Sequence, residues 1–180
     1  MTIADDAWPA ARLGNLARLR AVAAGLRGVH FYERVIDAPF ADVWAFASDL
    51  ERTTRSFEPD VHSLRVLERN GDHWKVRVRM PRWAGTAPLT LDVTMRDGWC
   101  WMVSRPALYV VGMAAEPVDA DGSQTRFGLA EGAVLPVAAW AQPATRPLLA
   151  VSRWRHRFHV PRDVARLGAC VTAGRNGRAL

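Results

Sequence analysis

Apolar residues along this chain recur first at helical and then at strand spacing, and each change of period marks an element. Over 7–26, Leu13, Leu16, Leu19, Ala23 and Leu26 recur at steps of three and four, with Arg12, Arg18 and Arg20 between them. That pattern predicts an amphipathic helix, ended by Gly28. From His30 to Ala38, β-branched and aromatic residues predict a first strand. Pro39 then stands where a first helical turn accepts a residue without an N–H. The segment FADVWAFA is read as that helix, with Val43, Trp44 and Ala47 inward. A second short helix is capped by Ser48 or Asp49 and stopped by Pro59.

Six more strands are predicted at about 61–69, 73–80, 88–96, 99–105, 108–117 and 124–134. Asn70-Gly71-Asp72 and Asp97-Gly98 supply hairpin turns, because Asn and Gly accept positive φ. After Pro136 the period returns to helical. A long helix starts near Pro143, with Leu148, Val151, Trp154 and Phe158 as its apolar stripe and Arg146, Arg153 and Arg157 off it. Pro161 is expected to kink or briefly break this helix before Val164, Leu167 and Cys170 resume the pattern. The fold class is therefore α+β: a seven-stranded curved antiparallel sheet wrapped around a long C-terminal helix, with two short helices after strand one and an extra N-terminal helix. The expected divisions are an N-terminal helical extension (1–28), the main domain (29–172) and a flexible tail (173–180).

Composition narrows the functional classes. With 180 residues, 49% of them hydrophobic and 23% charged, the chain is large enough for one core and a ligand chamber. No apolar run approaches the roughly 20 residues of a spanning helix, and MTIADDAW lacks the basic-then-apolar order of an export signal, so a cytoplasmic location is expected. Cys100 and Cys170 form no paired motif. His156 and His159 stand at i,i+3, but no carboxylate is read beside them at ligand spacing, so neither a metal nor a cofactor is predicted. The net charge of +6 is concentrated at the C terminus, where residues 141–180 carry eight arginines against Asp163 alone. That excess is either a solvated helix face or a docking surface for an acidic partner such as an acyl carrier protein or an anionic membrane. Lys75, Arg77 and Arg79 alternate on the third strand without aromatic residues on the same face, so nucleic-acid binding is not expected. The N-terminal helix has three uses open to it: covering the outer sheet face, pairing with a second subunit as a homodimer, or lying on a membrane.

Several short motifs lie where this order of elements puts them. They are Val35-Ile36-Asp37-Ala38-Pro39, Val43-Trp44, Ser48-Asp49-Leu50-Glu51, Pro59-Asp60-Val61, Ser63, Val66-Leu67 and Gly71. Together they resemble the helix-grip START/Bet v 1-like superfamily (SRPBCC), and within it the polyketide cyclase/dehydrase group, over residues 30–172. The chain departs from that group at Val61, where a tyrosine is usual, and at Thr53-Thr54. The resemblance implies a chamber between sheet and C-terminal helix that binds a hydrophobic small molecule of polyketide, lipid or aromatic type, as a carrier or sensor. Alternatively it implies a cyclase or dehydratase acting on a carrier-bound ketone.

Under the catalytic alternative, Thr94 and Arg96 on strand four match in kind the group's Ser-x-Arg, whose arginine polarises a carbonyl. Glu131, in line with Phe127, Leu129 and Ala133, and His62 are the candidates for moving protons. Strand four alternates Thr90, Asp92, Thr94 and Arg96 with Leu89, Leu91, Val93 and Met95, and only one of these sets can line the chamber. Candidate ligand contacts are Tyr32, Trp74, Trp99, Trp101, Ser104, Tyr109, Met113 and Trp154, with Arg55 as a further polar group. Eight tryptophans exceed what core packing usually takes up. A third functional reading, an adaptor at a membrane surface or in an assembly, rests on the N-terminal helix and the arginines. The loops from Met80 to Pro88 are expected to gate the chamber.

Overall fold

The computed structural model describes residues 13–80, 88–135 and 142–176. The elements in chain order are α1 (Asn15–Gly25), β1 (Val29–Ile36), α2 (Phe40–Ser48), α3 (Leu50–Phe57), β2 (Ser63–Asn70), β3 (His73–Arg79), β4 (Leu89–Arg96), β5 (Trp99–Arg105), β6 (Tyr109–Pro117), β7 (Thr125–Ala133) and α4 (Gln142–Asn176). The start of the expected first helix, residues 7–12, and most of the expected gating loop, 81–87, lie outside the described residues. One antiparallel sheet runs β1-β7-β6-β5-β4-β3-β2, so the first strand pairs with the last, Val29 opposite Gly132. The anticipated helix-grip architecture is what is found.

Local chemistry accounts for the boundaries. Gly71 takes a φ of 54°, a left-handed turn that costs glycine little. Val43, Trp44 and Ala47 are buried as their spacing requires. Asp49 starts α3 through its backbone carbonyl, which accepts from Arg52 and Thr53, and its side chain makes no cap hydrogen bond. Leu67 is the extra residue of a bulge in β2 and is turned to solvent.

The inner face of the sheet packs on α4 through Val160, Val164, Leu167 and Val171, and the core continues through Leu91, Val93, Met102 and Phe127. The outer face is covered by α1. Leu16, Leu19 and Ala23 close over Trp99, Val110 and Ala114, with Phe31 and Trp101 at the margin. Two glycines admit this helix: a Cβ at Gly112 would come within 2.5 Å of Leu19, and one at Gly128 within 2.6 Å of Leu16. The Glu116 carboxylate reaches from β6 to accept from the Leu16 N–H at 3.1 Å, which satisfies a donor of the first turn of α1.

Helix α4 differs from expectation in two ways. It continues through Pro147 and Pro161 without a break. Val160 and Val164, both fully buried, hold the turns on either side of Pro161 against the core, which offsets the hydrogen bond that the proline cannot make. The stripe Leu148, Val151, Trp154 and Phe158 faces outward, 49–64% exposed. Its opposite face carries Ser152 and His156. The Ser152 hydroxyl accepts from the Ala133 N–H at 2.9 Å and donates to the Gly28 carbonyl at 3.0 Å, fixing this half of the helix to both strands at one end of the β1–β7 pair.

Candidate functional site

The interior between sheet and α3 is narrow. An apolar pocket of about 40 Å³ is bordered by Leu50, Phe57, Leu64, Leu91, Met102 and Met113. Met80, Leu89, Tyr109 and Glu131 border it too, and the same four residues border a wider pocket of about 300 Å³ reaching the surface past Ser104 and Arg155. Pockets of this second size accept small organic ligands.

Polar groups collect at the junction. Tyr109, at the start of β6, donates its hydroxyl to Glu131 Oε1 near the end of β7. Two strands deliver this contact, because Tyr109 pairs with Ala133 and Glu131 with Val111 in the β6–β7 ladder. From α4, His156 Nε2 lies 3.2 Å from the Tyr109 oxygen and 3.8 Å from Glu131 Oε1. His156 Nδ1 lies 2.7 Å from the Ser152 carbonyl, which can only accept, so this nitrogen carries a proton. That leaves Nε2 as the atom that gives or takes a proton in the chain His156–Tyr109–Glu131. Burial, and then the charge of Glu131, push the Tyr109 phenol well above its ordinary range, so it remains a donor. Ser104 orders the adjoining corner: its hydroxyl donates to the Pro106 carbonyl and accepts from the Leu108 and Tyr109 N–H groups.

A second set of groups lies one turn further along α4. His159 Nε2 is 2.9 Å from Asp163 Oδ2 and 3.9 Å from Glu131 Oε2. The bond to Asp163 raises the pKa of the imidazole, against the opposing effect of burial. Glu58, at the end of α3, is buried close enough to feel Glu131 and Asp163. Burial first, then Glu131, Asp163 and Asp60 in turn, drive its carboxyl well above the ordinary 4.5. The expectation that no carboxylate stands near these histidines at ligand spacing is thus overturned. Asp163 is four residues beyond His159 on the same helix face, and β7 brings Glu131 to meet them.

Of the residues singled out in the sequence, Glu131, Tyr109, Ser104 and Met113 border the pockets. The others are elsewhere. The apolar set on β4 faces inward: Leu91, Val93 and Met95 are buried. Thr94 and Arg96 therefore lie on the outer face. Arg96 pairs with Asp72 at 2.9 Å across an exposed surface, so the expected polarising arginine has no access to the interior. Trp99 and Trp101 also face outward, stacked at 6.4 Å beneath α1, with the Arg18 guanidinium 4.7 Å above Trp99. Trp74 packs at the edge of the core, its indole donating to the Gly71 carbonyl under Arg69. Tyr32 packs on the core from β1 and borders neither pocket. Trp154 is on the solvent side of α4, and His62 and Arg55 are exposed. His156, His159, Asp163 and Glu58 went unassigned in the sequence. The His-x-x-His-x-x-x-Asp spacing on one helix face was the available signal.

Searches against protein-family models and against curated protein sequences find no match. Solved structures do match. TTHA0849 from Thermus thermophilus aligns with a TM-score of 0.58 at 21% identity, covering 81% of this chain and 98% of its own. The ZhuI aromatase/cyclase from Streptomyces sp. R1128 aligns at 0.59 and 14%, covering 80% and 93%. A START superfamily protein from Mycobacterium smegmatis aligns at 0.58 and 12%, covering 79% and 98%. The chain therefore has the helix-grip fold of these structures. Among the described residues, no helix is long and apolar enough to cross a membrane.

Proposed function

We propose that this protein binds a small, largely apolar molecule carrying a carbonyl or hydroxyl oxygen, as a carrier or sensor. The observation that supports this reading is the pocket of about 300 Å³ in which Tyr109, Glu131 and His156 meet. The apolar body would lie against Met80, Leu89 and Leu108, and the oxygen would exchange hydrogen bonds with the buried tyrosine. The test is displacement of an environment-sensitive dye by a series of apolar ketones, with mass spectrometry of whatever copurifies. A Leu89→Arg protein, charged at the mouth, should bind neither. Equal binding by that variant would refute the reading.

A catalytic version has its own support. The His156–Tyr109–Glu131 chain can hold and pass a proton beside a bound ketone, as aldol closure or dehydration requires, and the ZhuI aromatase/cyclase shares the fold. In this version Glu131 keeps the proton-moving role expected of it, and Tyr109 takes the carbonyl-orienting role first assigned to Arg96 and Thr94. Turnover of a poly-β-ketone that Glu131→Gln abolishes while dye binding persists would establish it.

The exposed ridge of α4 supports a docking role as well. Leu148, Val151, Trp154 and Phe158 stand opposite the packed face of the helix, with Arg153 and Arg157 on one flank and Arg155 and Arg162 on the other. That arrangement suits an anionic membrane surface. Sedimentation with phosphatidylglycerol vesicles should be lost in Trp154→Ser/Phe158→Ser. Retention by an acidic acyl carrier protein with no vesicle binding would replace the membrane with that partner.

A further inference from the structure

We infer that Glu131, His159 and Asp163 form a binding site for one divalent transition-metal ion of the zinc or manganese class, at the inner end of the surface pocket. Each residue offers one ligand atom, and these atoms lie within 4.8 Å of one another. Of the three ligands only Glu131 also borders the apolar pocket. Only the ion's role as an anchor for a ligand oxygen rests on the small-molecule reading above.

The arrangement of hydrogen bonds points to this site. Glu131 is 3% exposed and Asp163 is wholly buried, so each carboxylate oxygen needs a partner. On Glu131, Oε1 is taken by the Tyr109 hydroxyl. On Asp163, Oδ1 faces the Arg166 guanidinium at 3.5 Å. The other oxygen of each is buried too: Glu131 Oε2 has no hydrogen-bond partner, and Asp163 Oδ2 has only the His159 ring nitrogen beside it. Both of these oxygens are turned to the same atom, His159 Nε2, at 3.9 Å and 2.9 Å. One oxygen held by a neighbour and one left over, on each of two carboxylates around one imidazole nitrogen, is how metal ligands are oriented by the groups behind them.

The spacing and the donor types fit. An ion bound at about 2.0 to 2.2 Å from nitrogen and oxygen donors holds those donors roughly 3.0 to 3.6 Å apart. The separations from His159 Nε2, 2.9 Å and 3.9 Å, bracket that range, and an ion would draw the three donors, now within 4.8 Å of one another, inward onto itself. Two carboxylates with one imidazole favour zinc, manganese or ferrous iron over magnesium and calcium, which take oxygen ligands. Two negative ligands would neutralise the ion. Three protein ligands leave a position open on the side of the pocket, where His156 and Arg155 stand.

The test is calorimetric titration of the chelator-stripped full chain with Zn²⁺ and Mn²⁺, and with Mg²⁺ as a control. One Zn²⁺ or Mn²⁺ per chain is expected, with binding weakened at least about 100-fold in His159→Ala and in Glu131→Gln. It should be unchanged in His62→Ala, which removes an exposed histidine that borders neither pocket. Should Glu131→Gln fail to fold, His159→Ala decides, because that side chain is partly exposed and its loss is tolerable. Absence of one-to-one binding overturns the inference. So does binding that survives His159→Ala or disappears in His62→Ala. Dye displacement without metal binding would leave the small-molecule reading standing and remove this one.

Discussion

On the outer face of the sheet, Leu16, Leu19 and Ala23 of α1 close over Trp99, Val110 and Ala114 in an apolar seal. On the inner face, Glu58, Glu131 and Asp163 are buried beside the pocket. The side with the stacked Trp99–Trp101 pair is thus the structural one, and the side with unfavourable buried charge is the one with a pocket. Aromatic residues lower the free energy wherever they are covered. Buried carboxylates raise it unless a partner or a task holds them there. In this fold charge under cover is the better guide to function.

The contrast predicts separable effects. Leu19→Ala should cost about 3 kcal/mol of stability through the cavity it opens under α1, read by urea denaturation, with dye binding unchanged. A matching loss of binding would mean that the two faces are coupled. Tyr109→Phe acts on the other face. It leaves the buried Glu131 Oε1 without its donor, at a cost of about 1 to 3 kcal/mol, so it should weaken ligand binding several-fold in a displacement assay and lower the melting temperature as well.

Glu58→Gln sharpens the comparison through pH. The folded-state pKa of Glu58 is raised, so the native state binds the extra proton, and stability falls as pH rises. The contribution is whole below the unfolded value near 4.5 and is lost upward through the folded value. The variant should therefore melt higher than the parent at pH 8, and the difference should vanish at pH 4. Thermal melts across that range check it, and a constant difference would contradict the assignment. Smallest of all, Arg96→Ala breaks only an exposed pair with Asp72 and should change stability by under about 1 kcal/mol and dye binding not at all.

The order of elements was legible because it rests on local rules: the Asn70-Gly71 turn, Pro39 opening α2, and the alternation of each strand. Which face of a strand is inner is a tertiary fact. Leu89, Leu91, Val93 and Met95 against Thr90, Asp92, Thr94 and Arg96 left two possibilities, and large aromatic residues such as Trp99 and Trp101 suit either side. The first half of α4 misleads more. Its apolar stripe reads as inward, whereas Ser152, His156 and His159 face the sheet and Trp154 faces solvent, because this half lies over a polar pocket mouth while only the second half enters the core. Glu131 was identifiable as a carboxylate in an apolar row. Its partners required knowing how α4 is rotated about its axis.

The β1–β7 ladder has a consequence for how the protein is made. Val29 is hydrogen-bonded opposite Gly132, so β1 lacks its neighbour in the sheet until β7 has left the ribosome, and pairings this distant in sequence are slow to form. During that interval β1 is an unpaired edge, open to association with other nascent chains.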